Sequence, residues 1–101
     1  VDDLLMGLEL IFLRQKKSFE IFNMSAGKSY PLNKIIEKII EIFKVQKKLK
    51  YLKHKPTIKV DILVNNEKIF KKIGWKPKID VDRGLKKTIN WYKNFYKKNR
   101  I

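Results

Sequence analysis

Residues 73–92 read IGWKPKIDVDRGLKKTINWY, which predicts the end of one helix, a turn and the start of another helix. Gly74 is typical of a helix C-terminus, because glycine adopts left-handed backbone angles without a steric penalty. Residues 75–78 are expected to form a turn. Asp80 can then accept hydrogen bonds from the first free N–H groups of a final helix. The apolar residues that recur along this helix are Leu85, Ile89, Tyr92 and Phe95 or Tyr96.

Two further helices are predicted upstream of this segment. Between residues 32 and 43, apolar residues recur three and four positions apart, and Pro31 stands where a first-turn proline is tolerated. Asn65 or Asn66 can cap a short third helix that ends at Gly74.

The N-terminal part of the chain predicts another helix, for which Asp2 or Asp3 is the expected cap. Its apolar residues at helical spacing are Leu4, Leu5, Leu8, Ile11 and Phe12. Short strands or extended segments are predicted at residues 19–22, 49–52 and 58–63. We therefore expect an α+β fold, a single domain over residues 1–101 with about four helices and two or three short strands.

The chain is strongly basic, with a formal net charge of +15 in 101 residues. Such a charge is typical of nucleic-acid-binding proteins. However, the basic residues are 22 lysines and 3 arginines, and proteins that read bases favour the bidentate fork of arginine. We therefore interpret most of the charge as solvated surface, and a small basic nucleic-acid-binding domain as the alternative function.

The composition also limits the chemistry. The chain has no cysteine, which excludes disulfides, thiolate metal sites and thiol nucleophiles and suits a reducing cytoplasm. No apolar run is long enough to cross a membrane. Because the chain begins at Val1 rather than at a methionine, we expect it to be part of a longer product.

Three motifs suggest chemistry that their context does not support. Residues 25–29, SAGKS, resemble the end of a phosphate-binding loop, but the first glycine of that motif would fall at Phe22. Tyr51 and Lys55 have the spacing of a catalytic pair, yet Pro56 argues against the helix that would bring them together. His54 lacks partners for a metal site and is expected to lie in a solvated loop. Trp75 and Trp91 are interpreted as core residues.

Four segments together carry a family resemblance. They are VDDLLMGLEL (1–10), FNMSAGKSYPLNKIIEKIIEIF (22–43), YLKHKP (51–56) and IGWKPKIDVDRGLKKTINWY (73–92). In this order, they resemble the C-terminal portion of NAD-dependent nucleotide-sugar epimerases and dehydratases, in the extended short-chain dehydrogenase/reductase family. The resemblance implies a unit that binds UDP- or GDP-sugars and is detached from its Rossmann domain. The cofactor motif, the catalytic Tyr/Lys pair and the bound NAD(P) would all belong to an upstream part, so this chain alone is not expected to transfer hydride.

The resemblance also implies a substrate site. Its residues would be Lys55, Asn23, Met24, Ser25 and Ile62. The chain departs from the family at two points, because Ser25 replaces a glycine and Lys55 replaces an arginine that grips the diphosphate. Ile58 stands where the family has an aspartate. A third interpretation is that the chain is a truncated remnant. It would then expose the apolar surface that normally packs against the missing cofactor domain.

Overall fold

The computed structural model describes residues 1–57 and 60–99. The described chain divides into two compact units. The first comprises residues 1–29 and 61–79, and the second comprises residues 30–57, 60 and 80–99. Four α-helices are present: α1 (Asp2–Arg14), α2 (Leu32–Phe43), α3 (Glu67–Ile73) and α4 (Val81–Lys98). Helices α1 and α3 belong to the first unit, and α2 and α4 to the second.

The core of the first unit is built around Trp75, of which only 3% is exposed. It packs with Ile69 and Ile73 from α3, and the prediction that Trp75 is a core residue is confirmed. The indole N–H donates to the backbone carbonyl of Asp3 at 2.9 Å, so the ring is fixed at its polar edge as well as by packing. The partly buried side chains around this core are Met6, Leu10, Ile11, Phe22 and Met24.

Helix α1 has its N-cap at Val1, and no side chain caps it. The prediction that Asp2 or Asp3 caps this helix is therefore wrong. Asp3 instead accepts hydrogen bonds from the backbone N–H groups of Lys78 and Ile79, at 3.0 and 2.9 Å. Its carboxylate thus ties the start of α1 to the turn that follows Trp75.

The inward face of α1 centres on Gly7, which is buried. A β-carbon at this position would lie 2.1 Å from Cε of Met24 and 2.9 Å from Nε1 of Trp75. The absence of a side chain therefore lets these two residues approach the helix. Another side of α1 is apolar and exposed, and it carries four of the five residues predicted from periodicity: Leu4, Leu5, Leu8 and Phe12.

The predicted N-terminal cap and C-terminal end of α3 are both confirmed. Asn66 is the N-cap residue, and the side-chain oxygen of Asn65 accepts a hydrogen bond from the Glu67 N–H at 2.7 Å. Gly74 ends the helix with a φ of +78°. The Arg14 guanidinium donates to the last helical carbonyl, that of Ile73, at 2.8 Å, which satisfies an acceptor that the helix itself leaves free.

The second unit is a pair of helices. Helix α2 begins after Pro31, and Asp80 caps α4 by accepting a hydrogen bond from the Arg83 N–H at 2.8 Å, so both predicted starts are confirmed. Lys38 pairs with Asp82 at 2.6 Å and thereby links the two helices. Within the described part of this unit, Ile89 alone is fully buried.

Trp91 does not join this core. It is 58% exposed and stacks on Phe95 one turn later, with ring centroids 5.2 Å apart. The interpretation of Trp91 as a core residue is therefore wrong. The helical spacing that suggested burial places Trp91 and Phe95 side by side on the surface of α4 instead.

The expected α+β class is also wrong, because the described residues include no β-strand. Residues 19–22 and 49–52 lack helical structure, but neither pairs with a neighbour through a backbone ladder. Carbonyl groups that a neighbouring strand would satisfy accept side-chain donors instead, for example that of Ile21, which accepts from Lys68 Nζ at 2.6 Å. The predicted segment at residues 58–63 includes residues 58 and 59, which lie outside the described residues.

Candidate substrate loop

The most extensively hydrogen-bonded feature among the predicted site residues is the loop at residues 25–29, here called the clamped loop. The Ser25 hydroxyl donates to the carbonyl of Val64 at 2.6 Å, and the Ser29 hydroxyl donates to that of Ile62 at 2.5 Å. The side-chain amide of Asn66 donates to the Ser25 carbonyl at 3.0 Å. Three side chains thus fasten the loop to residues 62–66 within the first unit.

Ser25 is turned into the loop. Its Oγ accepts a hydrogen bond from the Gly27 N–H at 3.1 Å in addition to the one it donates. Gly27 has a φ of +67°, and a β-carbon there would lie 3.3 Å from Nδ2 of Asn66. The Ser25 side chain therefore serves local structure, because its hydroxyl donates to Val64 and accepts from Gly27 at the same time.

Asn23 and Met24 have different surroundings. Asn23 is exposed, and its side-chain amide makes no hydrogen bond to any described residue. Met24 is half-buried and packs against the core around Trp75, with its Cε directed at Gly7. Of this pair, only Asn23 offers a free polar side chain to a ligand.

The other two predicted site residues, Ile62 and Lys55, belong to different units. Ile62 is 66% exposed and belongs to the first unit, where its carbonyl receives the Ser29 hydroxyl. Lys55 belongs to the second unit, in an exposed turn closed by a hydrogen bond from its own N–H to the Leu52 carbonyl at 3.0 Å. The structure therefore brings Asn23, Ser25 and Ile62 into one unit. Ile58 lies outside the described residues.

An ionic cluster fixes the extended segment that leads into the clamped loop. The Glu20 carboxylate, whose side chain is 9% exposed, lies 2.5 Å from Lys72 Nζ and 3.6 Å from Lys68 Nζ. The hydrogen bond from Lys72 holds the pKa of Glu20 below its ordinary value, and the charges of both lysines add to the effect. Lys68 also lies over the ring of Phe22, with Nζ 5.1 Å from the centroid.

Sequence reasoning missed Asn66 and Ser29 as loop residues. The sequence predicts only a helix cap for Asn66, and Ser29 belongs to a phosphate-loop motif whose spacing is wrong. Asparagine and serine between extended segments often bond to nearby backbone groups, and this was the available signal. Nothing in the local pattern indicates that the partner of Asn66 lies 41 positions away in the sequence and that of Ser29 33 positions away.

The described residues offer no candidate metal centre. No group of three or more His, Asp or Glu side chains could bind a metal ion among them. His54 lies exposed in a turn. Within the same residues, no helix has the length and apolar character to cross a membrane.

Comparison with known proteins places this arrangement in context. The chain is 34% identical over 95 residues to UDP-glucuronate 4-epimerase of Thermodesulfobacterium geofontis (strain OPF15), covering 92% of the chain and 28% of that enzyme. It is 33% identical over 93 residues to probable GDP-L-fucose synthase 1 of Oryza sativa subsp. japonica, with 91% and 27% covered. It is 28% identical over 95 residues to dTDP-D-glucose 4,6-dehydratase of Homo sapiens, with 86% and 27% covered. No protein-family model matches the chain.

In each of these relatives the match falls in the C-terminal portion. The chain belongs to the nucleotide-sugar epimerase and dehydratase family. It spans just over a quarter of the length of the family members it matches. The clamped loop and α2 therefore correspond to a region near the C-terminus of larger epimerases and dehydratases.

Proposed function

We propose that the chain is the nucleotide-sugar-binding portion of an NAD(P)-dependent epimerase or dehydratase that acts on a UDP- or GDP-sugar. The observation that carries this proposal is the restriction of the match to the C-terminal portion of three relatives whose names all specify a nucleotide sugar. The clamped loop adds geometric support, because it holds a stretch of backbone firmly next to the exposed Asn23, whose side chain bonds to no described residue.

We infer the substrate contacts from the chemical groups that each predicted residue leaves exposed. Asn23 offers an amide that can both donate and accept, and the exposed side chain of Ile62 offers apolar surface to a base or sugar. Lys55 supplies a positive charge to the diphosphate, without the bidentate geometry of arginine. Ser25 and Met24 act through the backbone that they hold in place.

The cofactor belongs to another part of the protein. When bound there, NAD(P) would oxidise the sugar ring and later return the hydride. The first unit of this chain supports such a partner portion, because Phe19 and Ile21 expose their side chains while Glu20 and Phe22, which alternate with them, are partly buried. This alternation, together with the exposed apolar side of α1, is what a surface covered by the rest of a larger enzyme would show.

The proposal is tested first by the mass of the native product, detected with an antibody against this chain. A product about three to four times as long is expected, since the matched relatives are longer by that factor. In that enzyme, Lys55→Ala should raise KM for the nucleotide sugar severalfold. The matched control is Lys53→Ala in the same turn, which should leave KM unchanged. An unchanged KM for Lys55→Ala removes this residue from the site, and a product near 12.2 kDa overturns the enzyme proposal.

One observation favours a second candidate function, a small basic nucleic-acid-binding domain. Trp91 is exposed and stacked on Phe95, on a helix that also carries six basic residues. Exposed aromatic rings between lysines can stack on unpaired bases. This candidate predicts binding to single-stranded DNA that weakens steeply as salt rises and is lost in Trp91→Ala. Mild salt dependence with a UDP-sugar as ligand favours the first proposal.

A further inference from the structure

An open groove lies in the first unit, on the side where α1 and α3 end. Its volume is about 310 Å³, which is large enough for a small phosphate-bearing ligand. Its charged lining consists of Arg14, Lys16, Lys17, Glu20, Lys71 and Lys72. We call this feature the cationic groove, because five cations face a single carboxylate.

Much of this charge is uncompensated. The Glu20 carboxylate forms an ion pair with Lys72, with Oε1 2.5 Å from Nζ, so it neutralises about one of the five cations. Lys71 lies 3.8 Å from Glu67, but both side chains are well exposed, and such a pair contributes little. Lys16 makes no ion pair or hydrogen bond to a described residue. The lining therefore retains a strong positive potential with room for an anion beside it.

Two helix C-termini meet at this groove, and they account for part of the charge. Arg14 and Lys72 stand in the last turns of α1 and α3, where cations offset the negative end of the helix dipole. Lys16 and Lys17 lie beyond the end of α1 and have no such role. Arg14 is also held in place, because it donates to Ile73 and occupies the space that a side chain at Gly74 would fill.

We propose that the cationic groove binds a small polyphosphate anion, at a site separate from the clamped loop. The anchored guanidinium of Arg14 supplies fixed donors, and Lys16 and Lys17 supply mobile charges that close on the phosphate oxygens. The ligand class is a diphosphate, either free or as part of a nucleotide. No covalent step is involved.

Titration calorimetry of the 101-residue chain with sodium pyrophosphate at low salt tests this assignment. The groove variant is Lys16→Gln with Lys17→Gln, and the matched control is Lys97→Gln with Lys98→Gln, which removes the same charge from another adjacent lysine pair on α4. We expect saturable 1:1 binding that weakens about tenfold in the groove variant and less than about twofold in the control. A parallel titration with UDP separates the sources, because tighter binding than pyrophosphate indicates a nucleotide-linked diphosphate.

Two results overturn the assignment. One is an equal loss of affinity in both double variants, which shows attraction to the net charge alone. The other is the lack of saturable binding by the unmodified chain. Amide NMR shifts give an independent check, since pyrophosphate should perturb residues 14–20 and 71–73 and leave the clamped loop unchanged. Both variants alter exposed lysines and should keep the dispersed spectrum of the folded chain.

Discussion

The indole N–H of Trp75 and the backbone carbonyl of Asp3 are joined by a 2.9 Å hydrogen bond across 72 positions of sequence. This bond connects the first turn of α1 to the segment immediately after α3. Together with the Asp3 carboxylate, which accepts from Lys78 and Ile79, it closes the first unit into one packed body.

Replacing Trp75 with phenylalanine should destabilise the first unit by about 2 to 4 kcal/mol, because the change removes the hydrogen bond and leaves a cavity in the core. Chemical denaturation followed by far-UV circular dichroism measures the loss. Trp91→Phe is the matched control and should stay within about 0.5 kcal/mol, since Trp91 is exposed. Equal effects in the two variants would contradict the burial of Trp75.

Adding one methyl group at Gly7 should cost about 1 to 3 kcal/mol, even though alanine favours helices. The new β-carbon would overlap Met24 and crowd the Trp75 indole. Thermal unfolding of Gly7→Ala measures this cost. Combining it with Met24→Leu, which removes the terminal methyl from the clash, should recover part of the loss. A Gly7→Ala variant more stable than the unmodified chain would show that α1 does not lie this close to Trp75.

Stability should fall in acid as Asp3 and Glu20 become protonated. Desolvation raises the pKa of Asp3, but the hydrogen bonds from Ile79 and Lys78 outweigh it and hold that pKa below the ordinary 3.8. The pKa of Glu20 is held below 4.5 by Lys72. Because both values are lowered by folding, the stabilisation is complete above about pH 5 and is lost as the pH falls through the folded-state values.

Asp3→Asn tests the contribution of Asp3 to this effect. It should lower stability at pH 7, because Lys78 and Ile79 donate to different carboxylate oxygens and asparagine replaces one of these oxygens with an NH2 group that cannot accept. It should also flatten the dependence of stability on pH below about pH 4. The measurement is a series of urea titrations between pH 2.5 and pH 7. An acid profile identical to that of the unmodified chain would exclude Asp3 as the titrating group.

Removing the hydroxyl of Ser25 should loosen the clamped loop. Ser25→Ala loses the bond to Val64 and the acceptor for the Gly27 N–H, so amide hydrogen exchange at residues 26–28 should accelerate about tenfold or more. Ser18→Ala provides the control, because Ser18 is exposed outside the loop. If exchange in the loop is the same in both variants, the clamp does not hold it.

How much of the fold the sequence predicts depends on how far apart in the chain the interacting residues are. The caps of α3 and α4 and the stop at Gly74 involve neighbours within four residues, and all three are confirmed. The strands predicted at residues 19–22 and 49–52 are wrong, because pairing requires a partner strand that local alternation cannot supply. The spacing of apolar residues does not identify the inward face of α1, because the helix is apolar on more than one side.

The candidate site follows the same division. The family resemblance points to Asn23, Ser25 and Ile62, which the structure finds in one unit, whereas Met24 is taken up by the core. The sequence does not predict that Asn66 holds the clamped loop, because this role depends on a contact with Ser25, 41 positions away. Whether the 101 residues act as one domain, and whether Lys55 contacts a substrate, stay predictions.

The two-sided apolar character of α1 has a consequence for the life of this polypeptide in a cell. Phe12 is 88% exposed, and Leu5 and Leu8 lie uncovered nearby on the same helix. Chaperones and proteases recognise such surface and continuously remove chains that present it. Any form of the polypeptide in which this side of α1 stays uncovered would therefore be held at a low steady-state amount.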